Sequence, residues 1–215
     1  MSSPLPGGVQ GGGRSPVAMV WVCRLGVDAY AELGRQLDIP RFDCPVCGKP
    51  MFLWGFYRRY LRVGTWCKWV WIRRQRCQAC RRSHAVLPEF VTYGRLDGVG
   101  VIGKGIEAMV MTGGGARAVA GDLGLAHSTV RDWRRRFRTR AELLAMGIAG
   151  VVVALAGTLP RLSADPEHAA LQAMAAAWAV VAARRAVVGS AFSLANLICG
   201  SHLLSTNMQP PWAVL

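Results

Sequence analysis

Apolar positions along the chain change their spacing, and each change marks a new region. Residues 51–62 and 65–76 are rich in aromatic and β-branched side chains and are separated near Gly64. In the second stretch Trp66, Lys68, Val70, Ile72 and Arg74 alternate with Cys67, Trp69, Trp71 and Arg73. That period of two predicts a β-hairpin with one apolar and one charged face. Further on, Leu96, Val99, Val101, Ile102, Ile106, Met109 and Val110 fall at helical spacing and predict a helix over 96–112, despite four interspersed glycines that lower its propensity. Gly113, Gly114 and Gly115 then break the chain. Ahead of the hairpin, 17–23 reads as a short strand and 28–37 as a helix capped by Asp28 and closed before Pro40.

Residues 116–140 organise the rest. With Gly124 at a turn, the small residue Ala120 lies four positions earlier, where a second helix passes too closely for a larger side chain. Val119, Leu123, Leu125, Val130, Trp133 and Phe137 then form the inner stripes of two crossing helices. Glycine accepts a positive φ at the helix end, and Ser128 or Thr129 can cap the helix that follows. Its outer face carries His127, Ser128, Arg131, Asp132, Arg135 and Arg136, with Thr129, Arg134 and Arg138 beside them. Such a helix–turn–helix predicts a DNA-binding face made of these nine residues.

The predicted fold class is α+β: a small zinc-ribbon β-hairpin module, a three-helix helix–turn–helix unit and a C-terminal apolar helical region. The expected divisions are a disordered tail over 1–16, a ribbon with its leading strand and helix over 17–92, the helix–turn–helix over 93–140 and a helical region over 141–215. In the last region, 143–160 is an uncharged run of 18 residues, at the lower edge of what spans a bilayer. Glycines dilute it and Pro160 ends it, so a buried helix fits better than a membrane span. A second helix starts at Asp165 and Pro166 and runs through Ala183, with Arg184 and Arg185 suited to its end. An apolar helical hairpin of this kind needs a partner surface, and a second copy of the chain is the simplest.

Charge sharpens this picture. The net charge is +14, and between residues 44 and 140 there are 19 basic against 5 acidic residues, so all of the excess lies in the hairpin and the helix–turn–helix. A field so localised attracts a polyanion, with affinity that falls steeply as salt rises. Double-stranded DNA is the expected partner. The stretch before the hairpin has no secretory signal, which points to the cytoplasm and the nucleoid.

Seven cysteines then call for metal rather than disulfides. Cys44 and Cys47 form one Cys-x-x-Cys pair, Cys77 and Cys80 the other, with 29 residues between the pairs. Two such knuckles complete a tetrahedral sulfur site for Zn2+, and four thiolates leave no open position for chemistry. His84 follows Cys80 at a short spacing and reads as a surface or strand residue rather than a ligand. Cys23, Cys67 and Cys199 read as buried free thiols. The tryptophans and tyrosines of the hairpin read as core filling rather than base stacking, because a small ribbon has little else to bury.

Taken in order, CPVCG, the basic aromatic ribbon ending in RRQRCQAC, and ARAVAGDLGLAHSTVRDWRRRF resemble the N-terminal part of insertion-sequence transposases. They look closer still to transposon-like bacterial proteins that join a zinc ribbon to a helix–turn–helix, whose tail LANLICGSHLLSTNMQPPW also looks like. The resemblance implies recognition of terminal DNA, zinc on Cys44, Cys47, Cys77 and Cys80, and a helix from His127 in the major groove. Such transposases continue into a nuclease core with metal-binding carboxylates, whereas residues 141–215 contain only Glu142, Asp165 and Glu167. No catalysis is therefore carried over, and no nucleophile–base pair, phosphate loop or small-molecule site is visible. The expected function is sequence-specific duplex binding, as a transcriptional regulator or a transposition-associated recognition protein. An RNA-binding or ribosome-associated zinc ribbon and a membrane-tethered DNA-binding protein are the alternatives.

Overall fold

A computed structural model describes residues 18–184 and 189–205. The expected tail at 1–16, Arg185 and the last part of the 194–212 tail motif lie outside them. Among the described residues the fold is α+β, with a four-stranded sheet and six α-helices.

Strand β1 (Met19–Trp21) runs parallel to β4 (Ser83–Pro88), and β4 pairs antiparallel with β3 (Trp66–Cys77), which pairs antiparallel with β2 (Met51–Val63). The hairpin register runs from Met51 opposite Cys77 to Val63 opposite Trp66, broken by a bulge at Leu53/Gly55. One face buries Leu61, Val70, Ile72 and Leu87 with Ala18, Val91 and Tyr30. Tyr30 comes from α1 (Val27–Leu33), donates its hydroxyl to the Trp71 carbonyl at 2.8 Å and meets Phe90 edge-on at 5.3 Å. This helix is shorter than the predicted 28–37, passing into a single 3-10 turn at Gly34–Gln36. Its N-cap is Gly26; Asp28 instead sits in the first turn and pairs with Lys68 of β3.

Helices α2 (Val99–Met111), α3 (Ala116–Leu123), α4 (His127–Ala156), α5 (Pro166–Ala183) and α6 (Ala191–Ile198) share one core. Its largest fully buried members include Trp133, Phe137, Ile102, Ile106, Met109, Leu144, Ile148 and Met174. The glycines of α2 are what allow close packing. A Cβ on Gly103 would lie 2.7 Å from the Phe192 ring, and one on Gly105 would lie 3.0 Å from Trp133.

Residue 140 falls inside α4, which continues for 30 residues, about 45 Å at 1.5 Å per residue. The predicted basic helix and the predicted apolar run at 143–160 are therefore one rod. Its buried stripe, Val130, Trp133, Phe137, Ala141, Leu144, Ile148 and Val152, keeps spacings of three and four across the junction. Gly147 and Gly150 are absorbed into the helix, and the chain leaves it only at Gly157, whose φ is +72°. Among the described residues α4 is the one helix long and apolar enough to cross a membrane. Ala145, Ile148, Ala149 and Val152 on its apolar half are buried, and α5 supplies Ala170, Ala173, Met174 and Ala177 to the same helical core. Only 33 % of the apolar window is buried, however, so the helix expected to be buried keeps an open side at Leu143, Met146 and Val153. The start of α5 is as predicted, with Asp165 accepting the His168 amide. Buried Asn196 and Ser201, from α6 and the chain after it, bond the Glu89 and Val91 carbonyls and tie this end back to the sheet.

Candidate metal centre and basic helix face

The two knuckles meet because the 29 intervening residues are spent almost wholly on β2 and β3. The register that sets Met51 opposite Cys77 returns the second pair to the base of the hairpin, beside the first. In the first knuckle the Gly48 amide donates to the Cys44 carbonyl at 2.8 Å, with Gly48 at φ +68°. The second closes through the Cys77 amide and the Arg82 carbonyl at 2.9 Å, and Arg81 takes the matching left-handed position at φ +58°. Gln75, fully buried, braces the site by accepting from the Phe42 amide at 3.0 Å and donating to the Pro40 carbonyl at 2.6 Å.

The four sulfurs lie within 4.8 Å of one another, with Cys44 Sγ 3.5 Å from Cys80 Sγ and Cys47 Sγ 3.4 Å from Cys77 Sγ. A tetrahedral ion bound at about 2.3 Å to each sulfur spaces them about 3.8 Å apart, so the cluster can hold a metal ion with little adjustment. The Cys80 amide points at Cys77 Sγ and favours its thiolate, the form a metal needs, while the contact with Cys77 pushes Cys47 the other way. His84 is on β4, as read, but it is buried rather than on the surface, and its Nε2 lies 3.7 Å from Cys44 Sγ. There it lies against one of the four sulfurs without belonging to the cluster. Cys23 and Cys199 are buried as expected, whereas Cys67 is exposed near the hairpin tip.

Arg81 is exposed and pays for a left-handed backbone that Gly48 adopts freely. Replacing Arg81 by glycine is expected to raise stability by up to about 1 kcal/mol, read as a higher denaturation midpoint.

Gly124 is left-handed at φ +64°, the Leu125 amide donates to the Ala120 carbonyl at 2.9 Å, and Ala120 is buried. Ala126, not Ser128 or Thr129, stands at the N-cap, and no side chain caps α4. Ser128, Arg131, Arg135 and Arg138 are exposed, while His127, Thr129, Asp132, Arg134 and Arg136 are half-buried.

Ion pairs divide this face. Arg134 and Arg138 turn toward α5, where the nearly buried Glu167 accepts from them at 3.4 and 3.1 Å. Asp132 receives Arg95 at 3.1 Å, Arg135 at 2.6 Å and Arg136 at 2.7 Å. Partial burial opposes its ionisation, but the bonds from Arg136 and Arg135 outweigh that and hold its carboxyl down to about 2. Arg131 makes no ion pair among the described residues.

The ribbon is fastened to this face. Arg62 pairs with Asp97 at 2.5 Å, the Gly98 amide donates to the Arg62 carbonyl at 2.8 Å, and Arg59 donates to the Thr92 and Arg95 carbonyls. A Cβ on Gly124 would lie 2.8 Å from the Thr65 methyl, so the hairpin tip rests on the α3–α4 turn. Arg59 and Arg62 are expected from the sequence on a second cationic surface around the ribbon; their contacts with the 92–97 segment, and the pairing of Arg95, Asp97 and Glu167, are not foreseen in it. Their one signal was scarcity: a carboxylate in so cationic a segment has many possible arginine partners.

Another expectation is reversed on the ribbon. Its aromatic residues are not mainly core: Trp54 is 52 % exposed, Trp69 51 %, Tyr60 40 % and Trp66 39 %. The apolar face needed only Leu61, Val70 and Ile72, and arginines cover the other rings instead.

Residues 44–133 match a family model described as a domain of unknown function (DUF6431), from the first cysteine of the cluster to Trp133 of α4. No curated protein and no solved structure matches the chain.

Proposed function

We propose that this chain binds double-stranded DNA in a sequence-specific manner, through a helix–turn–helix formed by α3 and α4 and supported by a structural zinc ribbon. The observation that carries this reading is the placement of Arg131 and Arg135, exposed one turn apart in the first turns of α4 after the left-handed Gly124. A helix so presented enters a major groove with its first turns against base edges. Arg131 is the residue assigned to bases, by bidentate contact with guanine. Arg135 and Arg136, held by Asp132, are oriented before DNA arrives and suit phosphate contacts. Arg134 and Arg138 serve instead to hold α5 against α4.

The metal is zinc, bound by Cys44, Cys47, Cys77 and Cys80; its role is structural, because four thiolates leave no open coordination position. The resemblance to insertion-sequence transposases extends to recognition and not to cleavage. The chain acts as a transcriptional regulator or as the recognition partner of a transposition system, in the cytoplasm on the nucleoid.

Selection on random duplexes tests the reading. Arg131→Ala is expected to relax the consensus at one position and weaken the selected site by about 1–3 kcal/mol. If consensus and affinity are both unaltered, this helix does not read bases.

The chain further reads two half-sites as a dimer. Leu143, Met146 and Val153 expose one stripe along α4, Met146 at 69 %, with Trp178 exposed on α5. Sedimentation of the wild type as a dimer and of Met146→Glu as a monomer is expected. A wild-type chain that is monomeric on a two-half-site duplex removes this part of the reading.

A further inference from the structure

Recognition by α4 leaves one well-built surface of the ribbon unused. Tyr60 pairs with Trp69, Arg58 with Trp71 and Phe56 with Arg73, so these six side chains share one face of the hairpin. It is the face opposite Leu61, Val70 and Ile72, which are buried in the sheet core.

Rings and guanidinium groups follow one another along it. Tyr60 meets Trp69 edge-on at 4.5 Å. Arg58 lies 4.7 Å over Trp69 and 5.6 Å over Trp71. Arg35, from the turn after α1, lies 4.2 Å over Trp71, and Arg73 lies 3.7 Å over Phe56. Among the described residues none of Arg35, Arg58 and Arg73 forms an ion pair; Asp38 acts on Arg73 only through space. Cation–π contact fixes the guanidinium planes and leaves N–H groups for an anion.

The spacing selects the occupant. Side chains on one face of a strand recur about every 6.6 Å, roughly twice the 3.4 Å rise of stacked bases in a duplex. Bases laid along this row must therefore be unstacked, with protein rings taking the place of neighbouring bases. A duplex keeps its base faces hidden, and a second copy of the chain would oppose arginine with arginine. We propose that this face of the ribbon binds unpaired nucleotides of single-stranded nucleic acid, stacking bases on Tyr60 and Trp69 while Arg35, Arg58 and Arg73 meet phosphates.

The test uses the full-length, metal-loaded chain and fluorescence anisotropy on labelled oligothymidylate and oligouridylate, each about fifteen nucleotides long, beside a random-sequence duplex. Trp69→Ala is expected to weaken single-strand binding about tenfold or more, Trp69→Phe to retain most of it, and both to leave duplex binding within about twofold. Arg131→Ala is expected to do the reverse, which separates this proposal from the reading of α4. Tighter binding of either oligonucleotide supports it and says whether DNA or RNA is the source. Trp69 is half exposed, so an unchanged thermal midpoint is expected; Tyr60→Ala gives a second, independent loss. A wild-type chain that ignores both oligonucleotides, a Trp69→Ala chain that binds them undiminished, or an equal loss on duplex overturns the proposal.

Discussion

Serine in place of Cys77, or treatment with a chelator, is expected to unfold the base of the ribbon and leave the helices standing. The cluster at that end has three buried apolar members, Cys44, Met51 and Cys77, and two of them belong to the four-cysteine group that could hold a metal ion. Without metal the core there is Met51 with partly buried Met19 and Phe42 around it, and Gln75 has lost the frame that orients it. Structural zinc in small domains contributes on the order of 10–16 kcal/mol, as much as the whole stability of a typical domain at about 5–15 kcal/mol. The helical core contains none of Cys44, Cys47, Cys77 and Cys80. Hydrogen exchange is expected to lose protection over 42–53 and 75–84 and keep it over 99–156, with one metal ion per wild-type chain. Unchanged protection over 42–53 and 75–84 in metal-free C77S would show that the cysteines merely lie close together.

Trp133→Ala carries the second largest effect. The ring is fully buried and fills the space that Gly105 leaves open, with Leu123 against the same glycine. Deleting it removes contacts from α2, α3 and α4 at once, and buried tryptophan-to-alanine changes cost about 3–5 kcal/mol. Trp133 Nε1 has no partner although it is buried, so Trp133→Phe is expected to cost far less, since it deletes an unsatisfied donor along with part of the ring. Urea unfolding of the two variants measures the difference. Equal losses for alanine and phenylalanine would mean that volume is not what the site requires. Trp133 stands between Arg131 and Arg135 on α4, so the alanine variant is also expected to lose duplex binding as the helix loosens.

The family match covers the ribbon and the α2–α4 unit up to Trp133. The pairs Arg62–Asp97 and Arg95–Asp132 both fall within it, and they fasten the ribbon to the helix whose exposed face is assigned to DNA. The Glu167 pairs with Arg134 and Arg138 that fix α5 lie outside it at both ends. Ribbon and helix pair are thus joined by ion pairs through residues 95–97 and by the contact of Thr65 with Gly124.

What the chain determined by itself was local. Two residues between thiols make a knuckle, alternation at 65–76 makes a strand, and a glycine with a small residue four places earlier makes the α3–α4 turn. Each depends on chirality and on contacts within a few residues, so each is written in spacing alone. What only the tertiary structure decided was which surfaces were left over. Whether Trp69 is core or surface depends on which segments lie across the sheet, and the apolar face was filled by Tyr30 and Val91, leaving the other to arginines. Arg134 and Arg138 looked like Arg131 until Glu167, some thirty positions away, drew them toward α5. The junction at residue 140 marked a change of composition but not of structure, because helix continuity follows the buried stripe, and that stripe runs through unbroken.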